Sequence, residues 1–165
     1  MASGLSGAAG TCMRSIEVRN LLNAPFCAYA LTSFVKGYQT ESGPCPFPLT
    51  FLALPITLHK ETSERLPTTI RTKLHVWLQE NPGLRVGFGE RATALVPFTR
   101  EGLMFAMHKG TLQVQETGSL QVGNGISGRP SAEVELLGKR ATLVGRLFAH
   151  AGTPTTVFSM WGISP

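Results

Sequence analysis

A mainly α-helical fold with a small β-hairpin, winged-helix-like and forming one domain, is predicted by three features of this 165-residue chain. Apolar residues recur at three- and four-residue spacing along most of its length, the period of a helix face. The spacing changes to strict alternation only between Thr111 and Val122, and one more long helical stripe follows that change. Helices first and a hairpin after them is the order of a winged helix, in which the hairpin is the wing.

Taken in order, Asn23 is an N-cap by residue type and Pro25 fits a first turn. Phe26, Cys27, Ala30, Leu31, Phe34, Val35 and Tyr38 then recur at helical intervals, and the helix is expected to end near Gly37 to Thr40. The next seven residues, SGPCPFP, hold three prolines and read as an extended connection. Leu49 to Pro67 is an apolar run that turns charged at His59-Lys60. Leu49, Leu52, Ala53 and Ile56 give it helical spacing, so a buried helix of about three turns with a polar tip is predicted. Pro55 either kinks that helix or restarts it one turn later.

Thr68 or Thr69 is the expected cap of a third helix, with Ile70, Leu74, Trp77 and Leu78 inward and Arg71, Lys73, His75 and Gln79 outward. Asn81-Pro82-Gly83 ends it, and Leu84 to Val96 reads as a further helical or irregular segment. After Pro97, Thr99-Arg100-Glu101 opens a short helix up to Gly110. Leu112 and Val114 match Leu120 and Val122 across Thr117-Gly118, a two-residue hairpin signal. The Gly-rich GNGISGRP linker precedes a helix from about Ser131 to Ala151 with the stripe Val134, Leu137, Ala141, Val144 and Phe148. The β-forming tail TPTTVFSMW is expected to add a strand beside the hairpin.

Composition restricts function. A 42% hydrophobic fraction beside 15% charged residues is apolar for a domain of this size, which predicts a surface covered by a partner. Net charge is +5, with basic residues scattered from Arg14 to Arg146, so nucleic acid or an acidic protein surface fits as partner. All ten acidic residues are Glu, and without Asp the chain lacks the usual Mg²⁺ ligand of phosphoryl-transfer sites and the usual third member of a serine triad. No catalytic residue, metal site or cofactor is therefore expected. Three cysteines without CxxC spacing predict reduced thiols in a cytoplasmic protein. Residues 1–13 read as a flexible leader before a single domain over 14–165, with Met13 an alternative start. No apolar run reaches the roughly 18 to 20 residues of a membrane span, so no membrane partner is expected.

Two glycine runs, Gly87-Phe88-Gly89 and Gly123-Asn124-Gly125, imitate a dinucleotide fingerprint, but neither has an acidic residue some 20 positions on nor a second βαβ half. Both read as linkers. Cys27 lies on an apolar stripe, where thiols are packing groups, and the four histidines stand too far apart for metal-ligand spacing. The basic residues Lys60, Arg65, Arg71 and Lys73, with His59 at the helix tip and Lys109 near the hairpin, are the candidate contacts to a partner or nucleic acid. Solubilising charge is the competing reading. Phe47, Trp77 and Trp161 are the candidate interface anchors, since a few buried aromatics dominate most interfaces.

The segments NLLNAPFCAYAL (Asn20 to Leu31), FLALPITLHKETSERLP (Phe51 to Pro67), PFTREGLMFAMHKGTL (Pro97 to Leu112) and GRLFAHAGTPTTVFSMWGISP (Gly145 to Pro165) resemble the middle component of three-component ABC systems, the Lamassu-type bacterial defence operons. Leu58-His59-Lys60, Thr62 and Leu66-Pro67 are the sharpest part. The chain departs from the family pattern at Asn23-Ala24-Pro25-Phe26, usually Asn-Pro-Ala-Phe, and at Ser63, where an Arg is common and Arg65 stands nearby. The resemblance implies a non-enzymatic subunit that binds an SMC-like ABC ATPase and helps to hold an effector, often a nuclease, inactive until foreign DNA is sensed. DNA is then met through the complex. A free-standing winged-helix DNA-binding regulator is the alternative.

Overall fold

A computed structural model describes residues 22–125 and 128–164 of the chain, so the leader and the alternative start lie outside the described residues. Helix α1 spans Ala24–Ser42, capped where expected: the Asn23 side chain accepts from the Phe26 N–H at 2.9 Å. Its Cys27, Ala30, Leu31, Phe34 and Val35 are fully buried, which makes α1 the central strut of the core. Along one side it packs against α6, Ala132–Ala149, which begins at the N-cap Ser131. Glycines set that spacing. A Cβ on Gly37 would fall on the Thr142 carbonyl, and one on Gly145 would fall on the Phe34 carbonyl, so two glycines let the backbones touch. Phe34 and Phe148 then meet edge to face, their ring centroids 5.5 Å apart.

The apolar run after the first connection is divided. Helix α2 covers Thr50–Thr57 with Pro55 inside it, and the chain restarts as the short α3, Lys60–Glu64, which is the second of the two outcomes that Pro55 allowed. His59 caps α3: its Nδ1 accepts the Thr62 N–H at 3.3 Å and bonds the Thr62 hydroxyl at 2.7 Å. Helix α4 is shorter than expected, Leu74–Glu80, and neither Thr68 nor Thr69 caps it. The Trp77 indole N–H donates to the Arg65 carbonyl at 2.6 Å and fastens the preceding connection in a non-helical path. Leu74, Trp77 and Leu78 face inward as their spacing predicted.

Helix α5 corrects a second expectation. It runs unbroken over Phe88–His108, straight through Pro97, although a proline in a helix interior removes a hydrogen bond and costs roughly 3 kcal/mol. The proline ring faces solvent, while Phe88, Leu103 and Ala106 are buried and Gly102 lies against Cys27 and Leu31 of α1. Burying Phe88 and Leu103 at about 2 kcal/mol each outweighs the lost bond.

Strands β1, Leu112–Val114, and β2, Leu120–Val122, pair antiparallel with Leu112 opposite Val122 and Val114 opposite Leu120, and Gln115 bonds Ser119, so the connection has three residues, Glu116 to Gly118, and corrects the expected two. Instead of projecting freely, the hairpin is fastened on its outer edge. Cys45 exchanges two backbone hydrogen bonds with Leu120, both 2.7 Å, and the Gln39 side chain accepts from the Val122 N–H. The fold is mainly helical with a two-stranded antiparallel sheet.

The β-forming tail is a helix rather than a third strand. Helix α7, Pro154–Met160, is initiated by Thr153, whose hydroxyl accepts from the Thr156 N–H, and by Pro154 in the first turn. Capping chemistry outweighs the β-propensity of Thr155, Thr156 and Val157, because Val157 and Phe158 gain a buried face in helical form. Beyond it Trp161 stacks on Phe88 at 4.2 Å and meets Trp77 edge-on at 6.0 Å.

Two outcomes test this packing. Gly145→Ala is expected to lower stability by about 3 kcal/mol, the upper range for overpacking, whereas Gly83→Ala, whose Cβ meets nothing within 4 Å, changes it by less than about 0.5 kcal/mol. Urea denaturation midpoints compare them. The Glu41 carboxylate accepts from Arg146 at 2.7 Å and meets His150 at 2.9 Å, and these hydrogen bonds hold it below its ordinary value. A depressed folded value means stability that is present at neutral pH and lost as acid protonates the group, so Glu41→Gln should flatten the fall in melting temperature between about pH 5 and 3. Superimposable acid limbs would contradict this.

Candidate functional site

The basic residues singled out in the sequence divide into two groups. Lys60 opens α3, Arg65 follows it, and Arg71 and Lys73 lie on the exposed connection to α4, so these four belong to one region of the chain path. Arg65 is engaged by Glu61 at 3.3 Å with both side chains about half exposed, a surface pair worth under about 1 kcal/mol. Lys109 belongs elsewhere. His59 shares a cleft with Arg91 near the start of α5, and Lys109 follows that helix's last residue, about 27 Å further along the axis at 1.5 Å per residue. Its ammonium lies 5.6 Å over the Phe105 ring. Sequence reasoning missed Arg140 of α6, which donates to the Ser63 hydroxyl at 3.3 Å and brings a further cation to the α3 tip. Its place beside the buried Leu137 and Ala141 was the available signal.

The aromatic candidates separate by burial. Trp77 and Trp161 are 3% and 1% exposed, their surface spent on each other and on Phe88, so the folded subunit leaves them nothing to offer a partner. That corrects the expectation for both: their spacing cannot distinguish an intramolecular pocket from an intermolecular one. Phe47 is different, 40% exposed on the turn before α2 and edge-on to Phe51 at 5.5 Å.

Phe47 borders an open groove of about 510 Å³. One wall comes from Phe47, Phe51 and Leu52, another from Ala92, Thr93 and Val96 of α5, and Phe158 and Ile163 close the end. Its lining carries no charged side chain. Such a surface gains free energy by being covered, at about 25 cal/mol for each Å² of apolar area removed from water.

The second glycine run has a structural use. Gly123 and Gly125 donate to the carbonyls of Thr111 and Gly110, both at 2.9 Å, and their missing Cβ atoms would collide with the Gly110 and Lys109 backbone. Those glycines extend the hairpin ladder instead of cradling a phosphate; Ile126 and Ser127 lie outside the described residues. Among the described residues no group of three His, Cys, Asp or Glu side chains is placed to hold a metal ion. No helix among them is long and apolar enough to cross a membrane.

The chain belongs to the family of ABC-three component (ABC-3C) system middle component 3, whose family model matches residues 11–165. It is thus a middle component of such a system, and the family places it among other ABC-3C components. No curated protein and no solved structure matches it.

Both described cysteines are structural. Burial pushes the Cys27 thiol up to about 11, with Glu101 adding to the shift, and pushes Cys45 up to about 12. At pH 8 neither supplies thiolate. In a Cys12→Ser variant a thiol reagent at pH 8 should modify no site in the native protein and two after denaturation, which a mass measurement resolves.

Proposed function

We propose that this middle component is a non-catalytic adaptor in a bacterial anti-phage or anti-plasmid complex of the Lamassu type. It bridges an SMC-like ABC ATPase and an effector, often a nuclease, in the cytoplasm and helps to restrain that effector until foreign DNA engages the complex. The observation that carries this reading is the groove beside Phe47: an uncharged apolar surface in a chain matched over most of its length by the middle-component family. Covering it with the ATPase supplies binding energy through an aromatic anchor. The basic residues Lys60, Arg65, Arg71, Lys73 and Lys109 then provide steering and rim contacts, to protein or to DNA held in the complex.

The helix-then-hairpin order and the cations near α3 favour a second reading, a free-standing winged-helix DNA-binding regulator. The two differ in what the isolated chain does. A regulator binds duplex DNA sequence-specifically with a steep salt dependence, and an adaptor does not. The purified chain is expected to co-elute with the ATPase encoded beside it. Phe47→Glu should weaken that complex roughly thirtyfold, the loss of one anchor, with its melting temperature within a few degrees of the parent. Failure to associate with the ATPase, together with tight operator-like DNA binding, would replace the first reading by the second.

A further inference from the structure

A second cleft, of about 220 Å³, lies on the other side of α5, lined by Pro55, Leu58, His59, Arg91, Ala94 and Leu95. Successive helix positions turn by 100°, so Arg91, Ala94 and Leu95 present a different flank of α5 from the Ala92, Thr93 and Val96 of the Phe47 groove. Most of this cleft is carbon, but it is lined by an arginine that no carboxylate answers; its guanidinium carbon lies 5.7 Å over the Phe88 ring, the only source of negative potential that the described residues bring to it besides two carbonyls. Arg91 donates through Nη1 to the Val86 carbonyl at 3.0 Å and through Nη2 to the Leu84 carbonyl at 3.1 Å, which are neutral acceptors. Its Nε is shut off from solvent and meets no acceptor. Among the described residues no carboxylate lies within 4.0 Å of it; their ion pairs are made by Arg65, Lys139, Arg146 and His150.

His59 adds to the imbalance. Its Nδ1 accepts the Thr62 N–H, so in the neutral ring the proton sits on Nε2, and that nitrogen is a donor with no hydrogen-bond partner among the described residues. Donors and positive charge thus gather at an apolar cleft without an acceptor, and its low-dielectric walls screen that charge less than bulk water does.

From this charge pattern, and resting on the adaptor reading, we infer that the cleft of His59 and Arg91 receives an acidic segment of the companion ABC ATPase. An aliphatic side chain of that segment lies against Leu58 and Leu95, and a Glu or Asp carboxylate beside it answers the Arg91 charge. A neutral apolar insert would leave the guanidinium uncompensated in a drier site than before, which is the costly arrangement. The Phe47 groove, without a charged lining residue, makes no such demand.

The test exploits Ala94, exposed on α5 three residues beyond Arg91. Ala94→Glu places a carboxylate within the i, i+3 reach of Arg91 and supplies the missing partner from within the chain. Ala94→Gln has nearly the same size without the charge. With the purified ATPase as titrant in calorimetry, Ala94→Glu should weaken binding at least about tenfold while keeping or raising the melting temperature, and Ala94→Gln should cost about threefold or less. His59→Asp, which retains an α3 cap, should weaken binding about as much as Ala94→Glu. Equal losses for the Glu and Gln variants would overturn the carboxylate assignment and leave the adaptor reading intact, as would unchanged binding in all three. No binding of the parent chain to the ATPase overturns both.

Discussion

Helices α1 and α6 approach until backbone meets backbone, with Gly37 against the Thr142 carbonyl and Gly145 against that of Phe34. Helices α2 and α5 and the hairpin pack against the same pair. Because the pair is so close, Phe34 and Phe148 fill the space that remains beside it, and the opposite flank of α1 stays free to receive Gly102 of α5. Interiors packed at crystal-like density transmit such a constraint, since a methyl group added at the crossing has no void to enter. Glu41, Arg146 and His150 clasp the ends of the same two helices where the glycines no longer hold them.

The functional surface follows from what this framework leaves uncovered. α2 is buried almost all round, yet the turn before it and the wedge between α2 and α5 remain open on both flanks of α5. The two openings differ in kind, one uncharged and bordered by an aromatic ring, the other apolar but carrying a guanidinium without a carboxylate partner among the described residues. A partner that covers both meets α5 from two sides, and a helix kept rigid by its core contacts is a suitable element to be gripped in that way.

How much of this was legible in the sequence depends on which force decided each element. The cap and stripe of α1, the existence of the hairpin and the α6 stripe are local, and capping chemistry and periodicity specify them; the hairpin's register is one residue from the one a two-residue turn would set. Pro97 and the tail were misread because tertiary burial decided them. The loss of one hydrogen bond at Pro97 is a local cost, while the benefit comes from Phe88 and Leu103 meeting residues far away in the chain. Trp77 and Trp161 show the same limit for function: both are large aromatics at apolar positions, and only the fold tells that they satisfy each other. Of the basic residues, those around α3 could be grouped from sequence proximity, whereas the distance of Lys109 and the arrival of Arg140 required the packing of α5 and α6.

The enclosure of both indoles has an optical consequence. Tryptophan emission reports the polarity around the ring, and here the two rings share one dry pocket with Phe88. The chain therefore carries a native chromophore that registers whether its interior is intact.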